Sequence, residues 1–423
     1  MSWYIKNLSQ NLKQMSNNEK ITIKRNTSCC FRDEYKKNTL EISLVSFNQI
    51  LSVNIDDKYV VVEPGVSMEQ ITDFLINLKQ GPYMLPVTPE FKHITVGGTI
   101  NGLGIESSSC KYGLFEKTVL KYEVILTSGE LIEATPINKH CDLFYAIPGS
   151  YGTFGIITKV YIKIIPTEKY VKVNYSMLIS PEEIAKHFKR EIENNVEFME
   201  GIVLENKTIL SIAEPVKIGY YDWFFNRSCF KYFFSKWYYN HIKDLSDNNK
   251  EYSEFISLKD YLFRWDRGAF WFASNRLKCN LWNRLIYGSQ LTSKKLYERA
   301  KQKNMFEREK HKIVQDLLVP LENMNDFIED TKDISEVYPI WLCPIKTFKE
   351  SKTIFSLPSD GKIYVDVGIY GSWEKTVEDD FMNKNKKIEK ILHDYGGIKF
   401  LCNMNYYDKD FFWEIYDKNE YFK

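Results

Sequence analysis

The first third of the chain alternates β-patterned runs with helical ones. "ITIK" (21–24) is a short strand entering the polar turn "RNTSCC", and "ISLVSF" and "LSVNID" follow it. "YVVVEPG" (59–65) is a β-branched strand stopped by Pro64 and Gly65. In "SMEQITDFLINLKQG" the apolar residues Ile71, Phe74, Leu75 and Leu78 recur at helical spacing. That predicts a helix with Ser67 as N-cap and Gly81 just past its end. "VLKYEVILTSGELIEA" predicts a hairpin turning at Ser128-Gly129, and "GIITKVYIKIIP" a long strand ended by Pro166. Past Pro166 the texture changes: helices such as "SPEEIAKHFKREIENN" mix with aromatic runs, and strands such as "KIYVDVGIYG" come late. The change places a domain boundary near residue 168, dividing 1–168 from 169–423.

Composition narrows the classes. A formal net charge of +1 over 423 residues gives no electrostatic case for nucleic acid. The Lys/Asn-rich "DDFMNKNKKIEKIL" has mixed charge and is expected to be a solvated helix face. No run reaches the ~18 apolar residues of a membrane span, and "MSWYIKNLSQNLKQMSNN" lacks the apolar core of a signal peptide. The eight cysteines form no CxxC pair, which points to reduced thiols and away from zinc. An intracellular, cytoplasmic protein is the expectation.

The candidate chemistry lies in "TVGGTINGLGIESSSCKYG" (95–113), which gathers Gly97, Gly98, Gly102, Gly104 and Gly113 around a serine triplet. Gly102-Leu103-Gly104 starts a dinucleotide fingerprint, but Ser107 stands where its third glycine belongs. Lys111 is followed by Tyr112, so the segment is not a P-loop either. With "VVVEPGVSMEQITDFL" and "LPVTPEFKHITVGGTI" upstream and "DLFYAIPGSYGTFGIITKV" downstream, residues 20–166 resemble the FAD-binding domain of the vanillyl-alcohol oxidase and p-cresol methylhydroxylase superfamily. The resemblance implies an α+β protein: a two-part FAD-binding domain of the p-cresol methylhydroxylase type with an α+β substrate (cap) domain. A pyrophosphate is well held by backbone N–H groups in a glycine-rich nest.

On this resemblance the cofactor contacts fall on Thr95, Val96, Gly97, Gly98, Thr99, Ile100, Asn101, Gly102, Leu103, Gly104, Ile105, Glu106, Ser107 and Ser108, and on Gly152, Gly155 and Ile156. No histidine occurs between residues 94 and 139, so FAD is expected to bind non-covalently; His93 and His140 are expected to be ordinary loop residues. The first phosphate loop of the superfamily carries glycines, and here the position reads "KRNTSCC", with Lys24 and Arg25 as substitute charges.

"GIESSSCKYGLFEKTVLKYEVILTSG", "IIPTEKYVKV", "HKIVQDLLVPL", "VYPIWLCPI", "IYVDVGIYG" and "DFFWEIYD" extend the likeness across residues 20–423 to the Δ24-sterol reductase family. That resemblance implies NADPH-driven saturation of a sterol side-chain double bond through FAD. The resemblance implies a transmembrane helix at the start of membrane-anchored relatives, which is not expected from the opening "MSWYIKNLSQNLKQMSNN", and relatives that continue beyond "DKNEYFK".

A soluble enzyme with a sterol substrate needs a route to membranes, the endoplasmic reticulum surface among them. "WFFNRSCFKYFFSKWYYNHIK" (223–243) sets Trp223, Phe230, Phe233, Phe234 and Trp237 at helical spacing. It is either an interfacial helix or an aromatic helix packed on the substrate pocket. Tyr406 and Asp366, in family-like segments, are the candidate proton donors. Arg264 and Arg267 either bind NADPH phosphate or pair with Asp266. Two other functions fit the FAD half alone: an FAD-linked oxidase or dehydrogenase of a hydroxy acid or alcohol, and a non-catalytic homologue.

Overall fold

The computed structural model describes residues 3–14, 20–24, 39–178, 181–205, 207–219, 232–248, 251–301, 312–349, 353–373 and 380–416, with 418 and 421. The turn at 25–30 and the aromatic segment before residue 232 lie outside them, and with them Arg25, Trp223 and Phe230.

The first half holds β1 (Lys20–Lys24), β2 (Thr39–Ser43), β3 (Ile50–Asn54), β4 (Tyr59–Val62), β5 (Tyr83–Met84), β6 (Val119–Ile125), β7 (Leu131–Ala134), β8 (Ile156–Lys163) and β9 (Ile165–Pro166). β1 and β2 pair in parallel; β3-β4-β8-β6-β7 form an antiparallel five-stranded sheet; β5 pairs with β9. The β-branched pattern has its physical basis here, since Val60 and Val62 are wholly buried. The helix Met68–Ile76 starts as expected, with a capping box in which Ser67 and Gln70 bond each other's backbone. It stops at Asn77 rather than running to Gly81, because the Asn77 amide bonds back to the Asp73 carbonyl at 2.9 Å. Gly129 supplies the positive φ of 77° for the β6–β7 turn.

The second half is built on an eight-stranded antiparallel sheet of β10 (Tyr170–Leu178), β11 (Phe198–Leu204), β12 (Lys207–Val216), β13 (Tyr252–Ser257), β14 (Lys312–Pro320), β15 (Ile340–Lys346), β16 (Ile363–Ser372) and β17 (Ile398–Lys399). Its order is β13-β10-β12-β11-β15-β16-β14-β17. The helix Asp380–Asp394 buries Phe381, Ile388 and Leu392 against it, leaving its lysines outward. Every strand of the five-stranded sheet precedes residue 168, and every strand of the eight-stranded sheet follows it. One face of the large sheet packs on the glycine-rich segment. The chain after residue 400 then returns to the first half, where Tyr416 joins Phe355, Tyr151 and Phe154 in one apolar cluster.

Of the aromatic segment, Trp237 is buried in the core and precedes the helix Tyr238–Asp247, whereas Phe233 is exposed. Phe233, Phe234 and Trp237 lie in a turn and its exit rather than along a helix, so the expected helical spacing is not realised there, and Trp237 is packed inside the protein outside the cavity lining described below. Among the described residues no helix is long and apolar enough to cross a membrane.

Candidate active site

The glycine-rich stretch begins as a helix, Val96–Gly102, rather than as an open loop. Thr95 caps it, its Oγ1 accepting from the Gly98 N–H at 3.2 Å, and Leu103 ends it in the left-handed conformation. The glycines then divide by what surrounds them. A side chain at Gly97 would strike Pro64 at 2.8 Å, and one at Gly104 would strike Thr99 at 2.4 Å, so these two serve close packing. At Gly98 a Cβ would meet only Thr95 Oγ1 at 3.1 Å, and at Gly102 only Cys402 at 3.9 Å. Gly98 and Gly102 face a cavity of about 500 Å³ between the helix and the large sheet. Such a volume is ordinary for a cofactor or ligand site.

Thr95, Gly98, Thr99, Asn101, Gly102, Leu103, Gly104 and Ile105 line this cavity; Val96, Gly97, Ile100, Glu106, Ser107 and Ser108 do not. Asn101 braces the wall: its amide donates to the Gly97 carbonyl, and its oxygen accepts from the Gly152 N–H, both at 2.8 Å. Gly155 packs against Val124 and Ile156 belongs to the core with Ile5, so both sit behind the wall. The fit to a flavin rests on this geometry. Two glycines leave the helix surface bare, and the Thr99 hydroxyl is buried at the same wall without a hydrogen-bond partner. Phe91, Phe270 and Trp341 provide apolar sides. His93 also lines the cavity.

The opposite wall is the face of the large sheet. Register aligns Val314 with Tyr370, Asp316 with Gly368 and Leu318 with Asp366, so these side chains share one face. Asp316 and Tyr370 line the cavity, and the Tyr370 hydroxyl and the Asn403 amide both donate to the Asp316 carboxylate. Gly368 makes that contact possible, since any Cβ there would lie 2.6 Å from the Tyr370 hydroxyl. Burial raises the Asp316 carboxyl, against the pull of those two donors.

Glu90 lines the cavity too. It is half-buried by area yet surrounded by protein; burial, then the nearby Glu106 carboxyl, pushes its pKa to about 8. It lies within "LPVTPEFKHITVGGTI", one residue before an aromatic. Its proline-flanked, loop-like setting carries no periodic signal to mark it as a site residue. Asp316 was equally unmarked inside an apolar strand.

The sequence-predicted catalytic residues take three different places. Asp366 is fully buried on the same face as Asp316 but beneath the cavity lining. Burial, then Asp316 and Glu90, raise its carboxyl well above the ordinary range. Tyr406 lies outside the lining, with its backbone N–H donating to Glu389 and its ring 5.5 Å from the Lys399 ammonium. Arg264 is wholly buried, so it neither faces space open to a phosphate nor pairs with Asp266. Its guanidinium reaches Glu106 at 2.7 Å and Glu200 at 2.8 Å. Asp266 is instead held by Ser293 Oγ at 2.5 Å, and Arg267 donates to the Tyr232 carbonyl.

Arg264 is a clamp. Glu106 belongs to the glycine-rich segment and Glu200 to β11, so one guanidinium ties the two walls of the cavity together. Glu200 also accepts from the Trp265 and Trp341 indoles at 3.0 and 2.9 Å. Burial pushes the Glu200 carboxyl up, but Arg264 and the indoles outweigh it and hold it below the ordinary range. For Glu106 burial wins, and its carboxyl is raised.

Comparison with known proteins agrees with this architecture. Residues 9–135 match the family model described as an FAD binding domain. The Delta(24)-sterol reductase of Mus musculus is 32% identical over 407 residues, covering 92% of this chain and 75% of its own. The Delta(24)-sterol reductase of Homo sapiens is 31% identical over 405 residues, with the same coverage. That of Arabidopsis thaliana is 30% identical over 426 residues, covering 92% of this chain and 74% of its own. With the FAD-domain match in one half and similarity to these reductases spanning both, the chain belongs to the Delta(24)-sterol reductase family.

Proposed function

We propose that the cavity between the Val96–Gly102 helix and the large sheet is where this chain saturates the Δ24 side-chain double bond of a sterol. The chain is an FAD-dependent oxidoreductase with NADPH as electron donor, its FAD half spanning 1–168 and its substrate half 169–423. The observation that carries the assignment of the site is the pairing of a glycine-bared wall with a sheet wall that presents Asp316, Tyr370 and Lys312 among apolar neighbours.

Saturation adds one hydride and one proton across the double bond. When bound, the flavin supplies the hydride. The chain's own residues must hold the alkene and deliver the proton. An isolated trisubstituted alkene has no carbonyl to accept charge, so protonation at the less substituted carbon, with positive character at the other, is the favourable order. That demands an acid still protonated near neutral pH in a dry pocket.

Glu90 fits that demand, with a pKa raised to about 8 and a place in the lining. Asp316 is less free to hand on a proton, because its carboxyl is already held by the Tyr370 hydroxyl and the Asn403 amide. Tyr370 and Asn403 fix its orientation on the sheet wall. Arg264 is a positioning residue that keeps the two walls in register. Thr99 and Asn101 are the polar groups placed to hold the cofactor non-covalently.

Glu90→Gln tests this. NADPH should still reduce the flavin near the parent rate, while sterol reduction falls at least about tenfold. The parent's turnover should decline as pH rises through about 8, and the variant should lack that limb. A variant with parent-like turnover and an unchanged pH limb would remove Glu90 from proton delivery. A sterol substrate also implies peripheral contact with a membrane surface.

A further inference from the structure

The helix Leu281–Tyr287 is inverted relative to an ordinary surface helix. None of its residues is buried, and Leu281, Trp282, Leu285 and Ile286, which share one face, are 52%, 74%, 42% and 61% exposed. Its cation points the other way. Arg284 turns toward the protein, its Nε donating to the Phe234 carbonyl at 2.8 Å and its Nη1 to the Cys279 carbonyl at 3.2 Å. Those bonds seat the helix beside the Tyr232–Phe234 turn, where Tyr232 and Phe233 are also exposed. Contiguous apolar surface of this kind marks a contact site.

Charge identifies the partner. From Arg267 to Tyr297 the chain carries six cations, Arg267, Arg276, Lys278, Arg284, Lys294 and Lys295, and no Asp or Glu. The whole chain is nearly neutral, so this one-signed stretch is a local feature. Arg276 and Lys278, just before the helix, are exposed. Position supplies the third observation: Arg276 and Leu277 before the helix and Leu291 after it line the cavity.

We propose that the Leu281–Tyr287 helix, with the Tyr232–Phe233 turn beside it, docks the protein on an anionic lipid bilayer and opens the cavity toward the membrane. Leu281, Trp282, Leu285 and Ile286 enter the headgroup boundary, and the exposed Arg276 and Lys278 meet the lipid phosphates and carboxylates. A substrate dissolved in the bilayer then reaches the cavity along Leu277 and Leu291 without crossing water. The docking face is distinct from the buried Trp237 region. Its purpose, though not its existence, rests on the sterol reading.

The test is co-sedimentation of the full chain with vesicles of equimolar phosphatidylcholine and phosphatidylserine, and with phosphatidylcholine alone. The parent should bind the mixed vesicles, and added salt or loss of phosphatidylserine should weaken binding. Trp282→Ser/Ile286→Ser should lower the partition coefficient at least about tenfold. It should keep its flavin and reduce cyclodextrin-solubilised sterol at the parent rate, while losing activity on vesicle-embedded sterol. Lys278→Glu, a mild exposed change, should weaken binding to the mixed vesicles alone. Parent-like partitioning of the double variant would overturn the proposal. So would a parent that ignores vesicles and instead dimerises through this face, becoming monomeric in the double variant. Intact vesicle binding with no sterol reduced in either form would sink the catalytic reading and leave the docking face standing.

Discussion

Removing the Arg264 guanidinium while keeping its volume, as in Arg264→Met, should be among the most destabilising single changes in the chain. Three hydrogen bonds go at once, to Glu200 Oε1, to Glu106 Oε1 and to the Tyr261 carbonyl, and with them the ion-pair contact to Glu200 Oε2. The Tyr261 ring, 4.3 Å from the guanidinium, loses its cation as well. Two carboxyls with no exposed side-chain area are left facing one another, and water cannot reach them. Breaking a buried pair in this way costs about 3–5 kcal/mol, a large share of the roughly 5–15 kcal/mol that holds a typical protein folded. The triple variant Arg264→Met/Glu106→Gln/Glu200→Gln removes the orphaned charges. In Glu200→Gln the amide oxygen still accepts from the Trp265 and Trp341 indoles, and in Glu106→Gln it still accepts from the Ser107 N–H. The triple variant should therefore recover at least about half of the loss. Urea unfolding followed by tryptophan fluorescence reads the stability, and flavin fluorescence reads cofactor release in the same sample. The single variant should release flavin before it unfolds, because Glu106 anchors the glycine-rich segment. A single variant within about 0.5 kcal/mol of the parent, the range of an ordinary surface change, would refute the clamp. So would a triple variant less stable than the single one.

The remaining predictions concern the cavity. Glu90 keeps its proton in the folded state up to about 8 against an ordinary value of 4.5, so the folded state binds more protons between those values and stability falls as pH rises through that window. Glu90→Gln should flatten this slope; thermal melts across the same range measure it, and an unchanged slope would place the titration elsewhere. Gly98→Val puts a β-branched side chain into the cavity and should lower flavin occupancy with little loss of stability. Gly97→Val meets Pro64 and should destabilise the fold instead; absorbance ratios and melting temperatures separate the two, and full occupancy in Gly98→Val would move the cofactor wall. The purified protein should be yellow, and acid precipitation should free the flavin into the supernatant; colour retained in the pellet would implicate a covalent bond, with His93 in the lining as the residue to examine.

Local pattern alone determined much of this protein. The β-branched run at 59–62, the Ser67 capping box and the Ser128-Gly129 turn are decided by neighbours a few residues away, and they formed where the spacing placed them. The glycine-rich segment was legible for the same reason, since bare backbone near a ligand is written directly as glycine. What the tertiary structure decided is which residues meet. Phe74 follows the helical spacing of its neighbours yet stays 37% exposed, whereas Ile71 and Leu75 on the same helix are wholly buried. Arg264 lies 158 residues from Glu106 and 64 from Glu200. Its local neighbour Asp266 was the partner that sequence proximity suggested. The cavity acids come from one segment before the glycine helix and one strand more than two hundred residues later. Asp316 and Tyr370 meet only because β14 and β16 pair in one register with a glycine between them. Periodicity states which way a side chain points from its own strand. It carries no information about what another strand brings to that face, and the pKa of Glu90 depends on that enclosure.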